Sequence, residues 1–216
     1  VQEEFIVKMP DPGKHKIKEE YIDLPGGRVV RKRFTGLTFV FGEGENLVAG
    51  PCLENLNQVV NFVNSCFISV KLKDGCFLGH AAAVAKGRKG LAIAGSSGAG
   101  KSTVALELLN NELSFLSNDR ILVEKDGTGL SVLGVAKLPR INPGTALNNP
   151  SLSEVLSEKD KEKYRKLKKE DLLMVEHKHD VDIDACFGKG KMILKAPLSA
   201  IAVINWGSGP SQCRPF

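Results

Sequence analysis

The residues able to do chemistry concentrate in one stretch, Gly95-Ser96-Ser97-Gly98-Ala99-Gly100-Lys101-Ser102, with Thr103 next in line. It satisfies G-x-x-x-x-G-K-[ST], the loop in which successive main-chain N–H groups wrap a polyphosphate. Glycine at 95, 98 and 100 lets the backbone curl without Cβ clashes. Lys101 is spaced to reach β/γ-phosphates, and the Ser102 hydroxyl to ligand the Mg2+ that bridges them. The flanks agree with this reading. Residues 91–94 form an apolar run expected as a buried strand, and 104–109 are expected as helix. The free N–H groups and positive dipole end of that helix face the same anion. Together these residues imply binding of a nucleoside triphosphate with Mg2+. No N-K-x-D occurs, so a guanine-specific GTPase is not implied.

Four further groups are candidates. Asp119 follows Lys101 by 18 positions and comes just after the apolar pair Phe115-Leu116. It is expected at the end of a strand beside the P-loop strand, as a Mg2+ ligand or general base, although Asn-Asp also commonly opens a turn. His80 lies among small residues one hairpin before the loop, where a catalytic imidazole and a packed core histidine are both open readings. Arg120 and Arg140 are candidates for neutralising a transferred phosphoryl group. Arg140 is the better of the two, because it sits in a long Pro/Asn/Gly-rich segment. Asp180, Asp182 and Asp184 alternate along what reads as one strand face, either a cation site or the wet face of an edge strand. His177 and His179 flank it, without the spacing or thiols of a zinc site.

The elements that must position these groups read as strand-rich. Residues 4–9, 20–24, 28–34, 37–41 and 46–49 are expected strands, with Pro25-Gly26-Gly27 as one turn. Arg28, Arg31, Lys32 and Arg33 read as a solvated strand face. Leu53, Leu56, Val59, Val60, Val63 and Cys66 recur at helical spacing, predicting an amphipathic helix that ends near Cys66. Strands follow at 67–73 and 77–86, with a tight turn at Asp74-Gly75. After the P-loop helix, strands are expected at 115–117, 121–125 and 130–135, then a loop over 137–149. A charged helix over 151–170, acting as an exposed surface or lid, carries seven basic and five acidic residues between 158 and 171. A hairpin of 181–187 with 191–195 and a last apolar strand at 200–206 complete the reading.

A 42% hydrophobic and 25% charged composition is that of an ordinary globular chain. The net charge of +5 is dispersed rather than gathered into a stripe, so no nucleic-acid surface is expected. No apolar run has the length of a spanning helix or a signal peptide, so no membrane association is expected. Five cysteines without a C-x-x-C pair suit reduced thiols in the cytoplasm. The chain opens on Val1 and stops at Cys213-Arg214-Pro215-Phe216, so a further C-terminal segment is an expectation.

With these residues in hand, the chain resembles the HPr kinase/phosphorylase family and its related kinases, the B-type in particular. The resemblance rests on His80 before the loop, Gly95 to Ser102, Ala105-Leu106-Glu107-Leu108, and Asn118-Asp119 where that family has two aspartates. It covers about residues 75–135, and the Pro-Arg-Ile-Asn-Pro-Gly-Thr segment adds to it. It implies an α/β, phosphoenolpyruvate-carboxykinase-like P-loop fold with a mixed, strand-rich sheet and N-terminal β hairpins. Residues 1–50 would be the hairpin extension and 51–216 the kinase domain. It further implies ATP and Mg2+, γ-phosphoryl transfer to a hydroxyl acceptor (a protein serine or a small molecule), and homo-oligomers. Lys101 and the amides of residues 95–103 would hold phosphates, and Ser102 with Asp119 the metal. Asp119, or His80 through it, would deprotonate the acceptor, while Arg140 reaches the transferred group. Two departures stand out: Asn118 replaces the first aspartate, and Thr103 stands where the bifunctional enzymes have Glu. The alternative is a nucleotide-binding regulatory module without phosphotransfer.

Overall fold

A computed structural model describes residues 6–7, 18–175, 177–207 and 212–214. The chain divides into two compact units, Val1–Val70 and Lys71–Phe216. Among the described residues no helix is long and apolar enough to cross a membrane.

The first unit is built on an antiparallel meander: β1 (Ile6–Val7), β2 (Glu19–Leu24), β3 (Gly27–Lys32), β4 (Thr38–Gly42) and β5 (Leu47–Ala49), in that spatial order. The strand expected over 4–9 falls within β1 only at residues 6–7, and the rest of it lies outside the described residues. The β2–β3 register sets Glu19 opposite Lys32, Glu20 opposite Arg31 and Asp23 opposite Arg28. Each of these pairs forms an ion pair, so three members of the basic cluster are partnered within the ladder. Leu37, Phe39 and Phe62 form this unit's core.

Helix α1 (Leu56–Lys73) corrects two expectations. It does not stop near Cys66, and residues 67–73 are helix rather than strand. Nothing between Cys66 and Lys73 breaks a helix, and the stop comes at Asp74-Gly75. Gly75 takes φ +88°, its N–H donates to Leu72 O (3.1 Å), and Cys76 N–H donates to Lys71 O (3.0 Å). Those bonds close a helix C-terminus of the Schellman type, so the Asp-Gly pair caps a helix instead of turning a hairpin. The face expected to be buried is also reversed: Leu53, Leu56, Val60 and Val63 are exposed, whereas Phe62 and Ile68 are buried.

The second unit holds β6 (Phe77–Gly79), β7 (Ala82–Lys86), β8 (Lys89–Gly95), α2 (Lys101–Leu108), β9 (Ser114–Ser117), β10 (Ile121–Asp126) and β11 (Gly129–Gly134). Then come β12 (Arg140–Ile141), α3 (Pro143–Asn148), α4 (Glu158–Arg165), α5 (Lys169–Met174), β13 (His179–Asp180), α6 (Ile183–Phe187) and β14 (Lys195–Ile204). Seven of these strands make a mixed sheet ordered β6-β10-β11-β14-β8-β7-β9, in which β14 runs parallel to β8 and the other pairings are antiparallel. Alternation along β7 sends Ala82 and Val84 into one core, with Ala105, Leu106 and Tyr164, and Ala83 and Ala85 into a second, with Leu116 and Val132. Both faces are therefore covered, and the sheet curls. A Cβ on Gly134 of β11 would lie 2.1 Å from the Leu116 carbonyl oxygen of β9, a strand that is not its sheet neighbour.

Three further segments differ from expectation. Residues 137–149 contain β12 and α3, because Pro143 starts a helix at its first position, where the missing N–H costs nothing. The helix expected over 151–170 is instead a 3₁₀ turn (Pro150–Val155), α4 and α5, with Ser157 capping α4 by accepting from Asp160 N–H. Tyr164 is buried at 2% exposure, which fixes α4 to the core. The hairpin expected at 181–187 is absent: Asp182 accepts from Ala185 N–H and caps α6. The aspartates at 180, 182 and 184 therefore do not line one strand face.

Candidate functional site

Strand β8 ends at Gly95, and α2 begins at Lys101. Between them the chain turns through Gly98 (φ +77°) and Gly100 (φ +90°), left-handed conformations that a side chain would strain. Nothing lies within 4 Å of where a Cβ would sit on either glycine, so backbone conformation rather than crowding calls for glycine there. Residues 96–98 are exposed, whereas Ala99 and Lys101 are buried. The Lys101 ammonium folds back over the loop and donates to Gly95 O (3.0 Å) and Ser96 O (2.9 Å). Two carbonyls thus satisfy a buried cation that an anion in the turn would bind more strongly. Thr103 lies outward, its hydroxyl 2.9 Å from that of Thr145 on α3.

The sheet order determines what meets this loop. Strand β7 lies between β8 and β9 and runs against both. The strand leading to Asp119 is therefore separated from β8 by β7, and not adjacent to it as the spacing predicts. Because β9 and β8 run the same way, both end at the edge where β7 begins. Ala82 pairs with Ile93 and Ala83 with Ser117, which sets His80, Gly95 and Asn118-Asp119 at that edge. The Asn118 side-chain amide donates to the Ser102 hydroxyl (3.3 Å), which in turn lies 3.3 Å from Asn118 O. His80 Nδ1 lies 2.9 Å from the Asp119 main-chain oxygen and 3.3 Å from its Oδ1. Arg120 Nε is 3.9 Å from Asp119 Oδ2. Both His80 and Asp119 remain more than half exposed, open to a ligand from solvent.

Arg140 is held elsewhere: Nε lies 3.2 Å from Asp180 Oδ1, and a terminal nitrogen donates to Lys178 O. The structure gives it no contact with the loop, His80 or Asp119. His177 and His179 stack edge-on at 4.5 Å, with His177 Nδ1 2.7 Å from the Tyr164 hydroxyl. Among the described residues no group of three His, Cys, Asp or Glu side chains could hold a metal. Burial, with His177 close by, holds the His179 imidazole below its ordinary value, against the pull of Asp160 and Asp180. Burial likewise pushes the Cys66, Cys76 and Cys186 thiols up, the setting of inert rather than reactive sulfur.

One residue at the site went unnoticed in the sequence. Trp206, two positions past β14, donates its indole N–H to Ala99 O within the loop (3.2 Å). Its being the sole tryptophan, at the end of an apolar strand, was the available signal.

No family model matches this chain, and no curated protein matches it. Among solved structures, it is similar to that of the HPr(Ser) kinase/phosphatase from Coxiella burnetii, with TM-score 0.40 and 14% identity over 64% of this chain and 66% of that one. The match thus spans just under two thirds of that protein's length. At this level the likeness carries no residue role to this chain.

Proposed function

We propose that the second unit is an ATP-dependent phosphotransferase that moves the γ-phosphoryl group to a hydroxyl acceptor. The observation that carries this reading is the meeting, at one sheet edge, of the glycine turn with buried Lys101, the Ser102–Asn118 contact and the His80–Asp119 pair. Main-chain amides of residues 95–102 and the Lys101 ammonium hold the β- and γ-phosphates. The residues present fit Mg2+: a hydroxyl (Ser102) and a carboxylate (Asp119) are hard oxygen donors on adjoining segments, and Mg2+ in such sites takes one or two protein oxygens beside phosphate and water. When bound, the ion would supply positive charge to offset that of the phosphates. The Asp119 carbonyl oxygen only accepts, so a hydrogen bond to His80 requires Nδ1–H as donor. That leaves Nε2 of the neutral ring to take the acceptor's proton, with Asp119 orienting the ring.

The test has two parts. Saturating Mg-ATP should raise the melting temperature of the wild type by about 5–10 °C and that of Lys101→Ala by none. Single-turnover ATP consumption with candidate hydroxyl acceptors should then collapse in Asp119→Asn while nucleotide affinity changes little. Unchanged stabilisation in Lys101→Ala would refute the site. A second reading, a nucleotide-responsive module without transfer, draws on the Asn118 amide occupying the Ser102 hydroxyl. It predicts stabilisation by ATP with no transfer in either protein.

A further inference from the structure

We propose that the indole face of Trp206 is the platform on which the base of the bound nucleotide stacks. This rests on the nucleotide reading above and extends it to the end of the ligand that the P-loop does not touch. The groups suited to the γ-phosphate (Ser102, Asn118, Asp119 and His80) all lie on the β7–β9 side of the loop. A nucleotide bound with its γ end there extends its ribose and base in the opposite direction, toward β14. Strand β14 runs parallel to β8 and reaches the same edge, with Ile204 in register with Gly95. Two residues on, the Trp206 N–H is tied to Ala99 O, so the ring is moored to the loop itself.

That hydrogen bond uses the only polar atom of the indole. The ring is nonetheless 80% exposed, a large apolar surface left beside an anion cradle. A flat aromatic face with its donor already engaged recognises a partner by stacking, and a purine base is the part of a nucleotide that supplies one. Because stacking reads no base edge, Trp206 favours nucleotides over bare polyphosphate and discriminates little between adenine and guanine.

Binding of Mg-ATP, Mg-GTP and Mg-tripolyphosphate, measured by calorimetry, tests this on the full chain. The wild type should bind both nucleotides about tenfold or more tighter than tripolyphosphate, within the range that base stacking on an aromatic ring supplies. Trp206→Ala should bring ATP to the tripolyphosphate level and leave tripolyphosphate affinity unchanged. Trp206→Phe, which keeps a ring but not the N–H, should retain most of the preference. As the only tryptophan, Trp206 should also report binding directly, its fluorescence being quenched by ATP and not by tripolyphosphate. The proposal is overturned if Trp206→Ala binds ATP like the wild type, or weakens ATP and tripolyphosphate alike, which would make the indole a loop latch. If tripolyphosphate binds but ATP binds no tighter, stacking fails and the cradle stands. If neither binds, the nucleotide reading itself falls.

Discussion

His80 shows how one side chain's role depends on which of its neighbours can donate. Its Nδ1 faces a main-chain carbonyl oxygen at 2.9 Å, which can only accept, with the Asp119 carboxylate at 3.3 Å. Donation from Nδ1 to that carbonyl leaves Nε2 as the base of the proposed transfer. His80→Gln keeps a donor toward Asp119 and removes the base. Phosphoryl transfer should then fall about 10²–10⁴-fold with nucleotide affinity intact, measured by single-turnover transfer beside equilibrium binding. Equal losses in both would mean that His80 only shapes the loop. His179 is the opposite case, an imidazole kept neutral by burial, with Nε2 left without a partner. Its folded value lies below the ordinary 6.5, so as pH falls the unfolded chain takes up a proton first. Stability should therefore begin to fall as pH drops through about 6.5, and His179→Gln should flatten that part of a melting-temperature series. The motif behind the site was legible because its spacing is local: eight consecutive residues specify strand, turn and helix start. Trp206 was not legible, since its contact with Ala99 depends on β14 lying beside β8, far apart in sequence.

At the scale of elements, legibility followed the punctuation. Strands bounded by glycine turns, such as β10 and β11 around Asp126-Gly127, came out within a residue or two because a hairpin needs only its turn and its alternation. Where a short residue pattern admits two structures, the reading failed. Asp74-Gly75 caps α1 rather than turning a hairpin, and the alternation of Val181-Asp182-Ile183-Asp184 hides a helix cap. In both places local hydrogen bonds at a helix end settle what the residue pattern leaves open. Sheet order was beyond reach for a different reason. That β7 separates β9 from β8 depends on how the sheet curls, and at Gly134 two strands that are not sheet neighbours approach closely. Its missing side chain lets β11 pass against the backbone of β9, where a Cβ would meet Leu116 O at 2.1 Å. Gly134→Ala should cost about 1–3 kcal/mol or more, read as a lower denaturation midpoint with an unchanged slope. A neutral effect would mean that the two strands are free to move apart. Gly127→Ala offers the contrast: φ is +61° but the space is open, so the cost should be the smaller one of left-handed backbone alone.

At the scale of the molecule, the two units differ in what they contain. Every group placed at the candidate site (His80, Gly95 to Ser102, Asn118, Asp119 and Trp206) belongs to Lys71–Phe216. The first unit has its own sheet and its own core, in which Phe62 packs against Phe39 at 5.0 Å and Phe41 at 4.8 Å. Its charged ladder pairs are exposed at the two arginines and half-buried at Lys32, and pairs so open to solvent add little stability, so the aromatic cluster carries it. Phe62→Ala removes the centre of that cluster and should cost about 3–5 kcal/mol within the first unit. If nucleotide binds wholly in the second unit, the variant should bind ATP with wild-type affinity at temperatures below its first transition. In a calorimetric scan ATP should raise only the transition that the substitution leaves in place, because a ligand stabilises just the unit that holds it. A single transition that falls with Phe62→Ala and rises as a whole with ATP would show instead that the two units unfold as one, and that the site draws its stability from both.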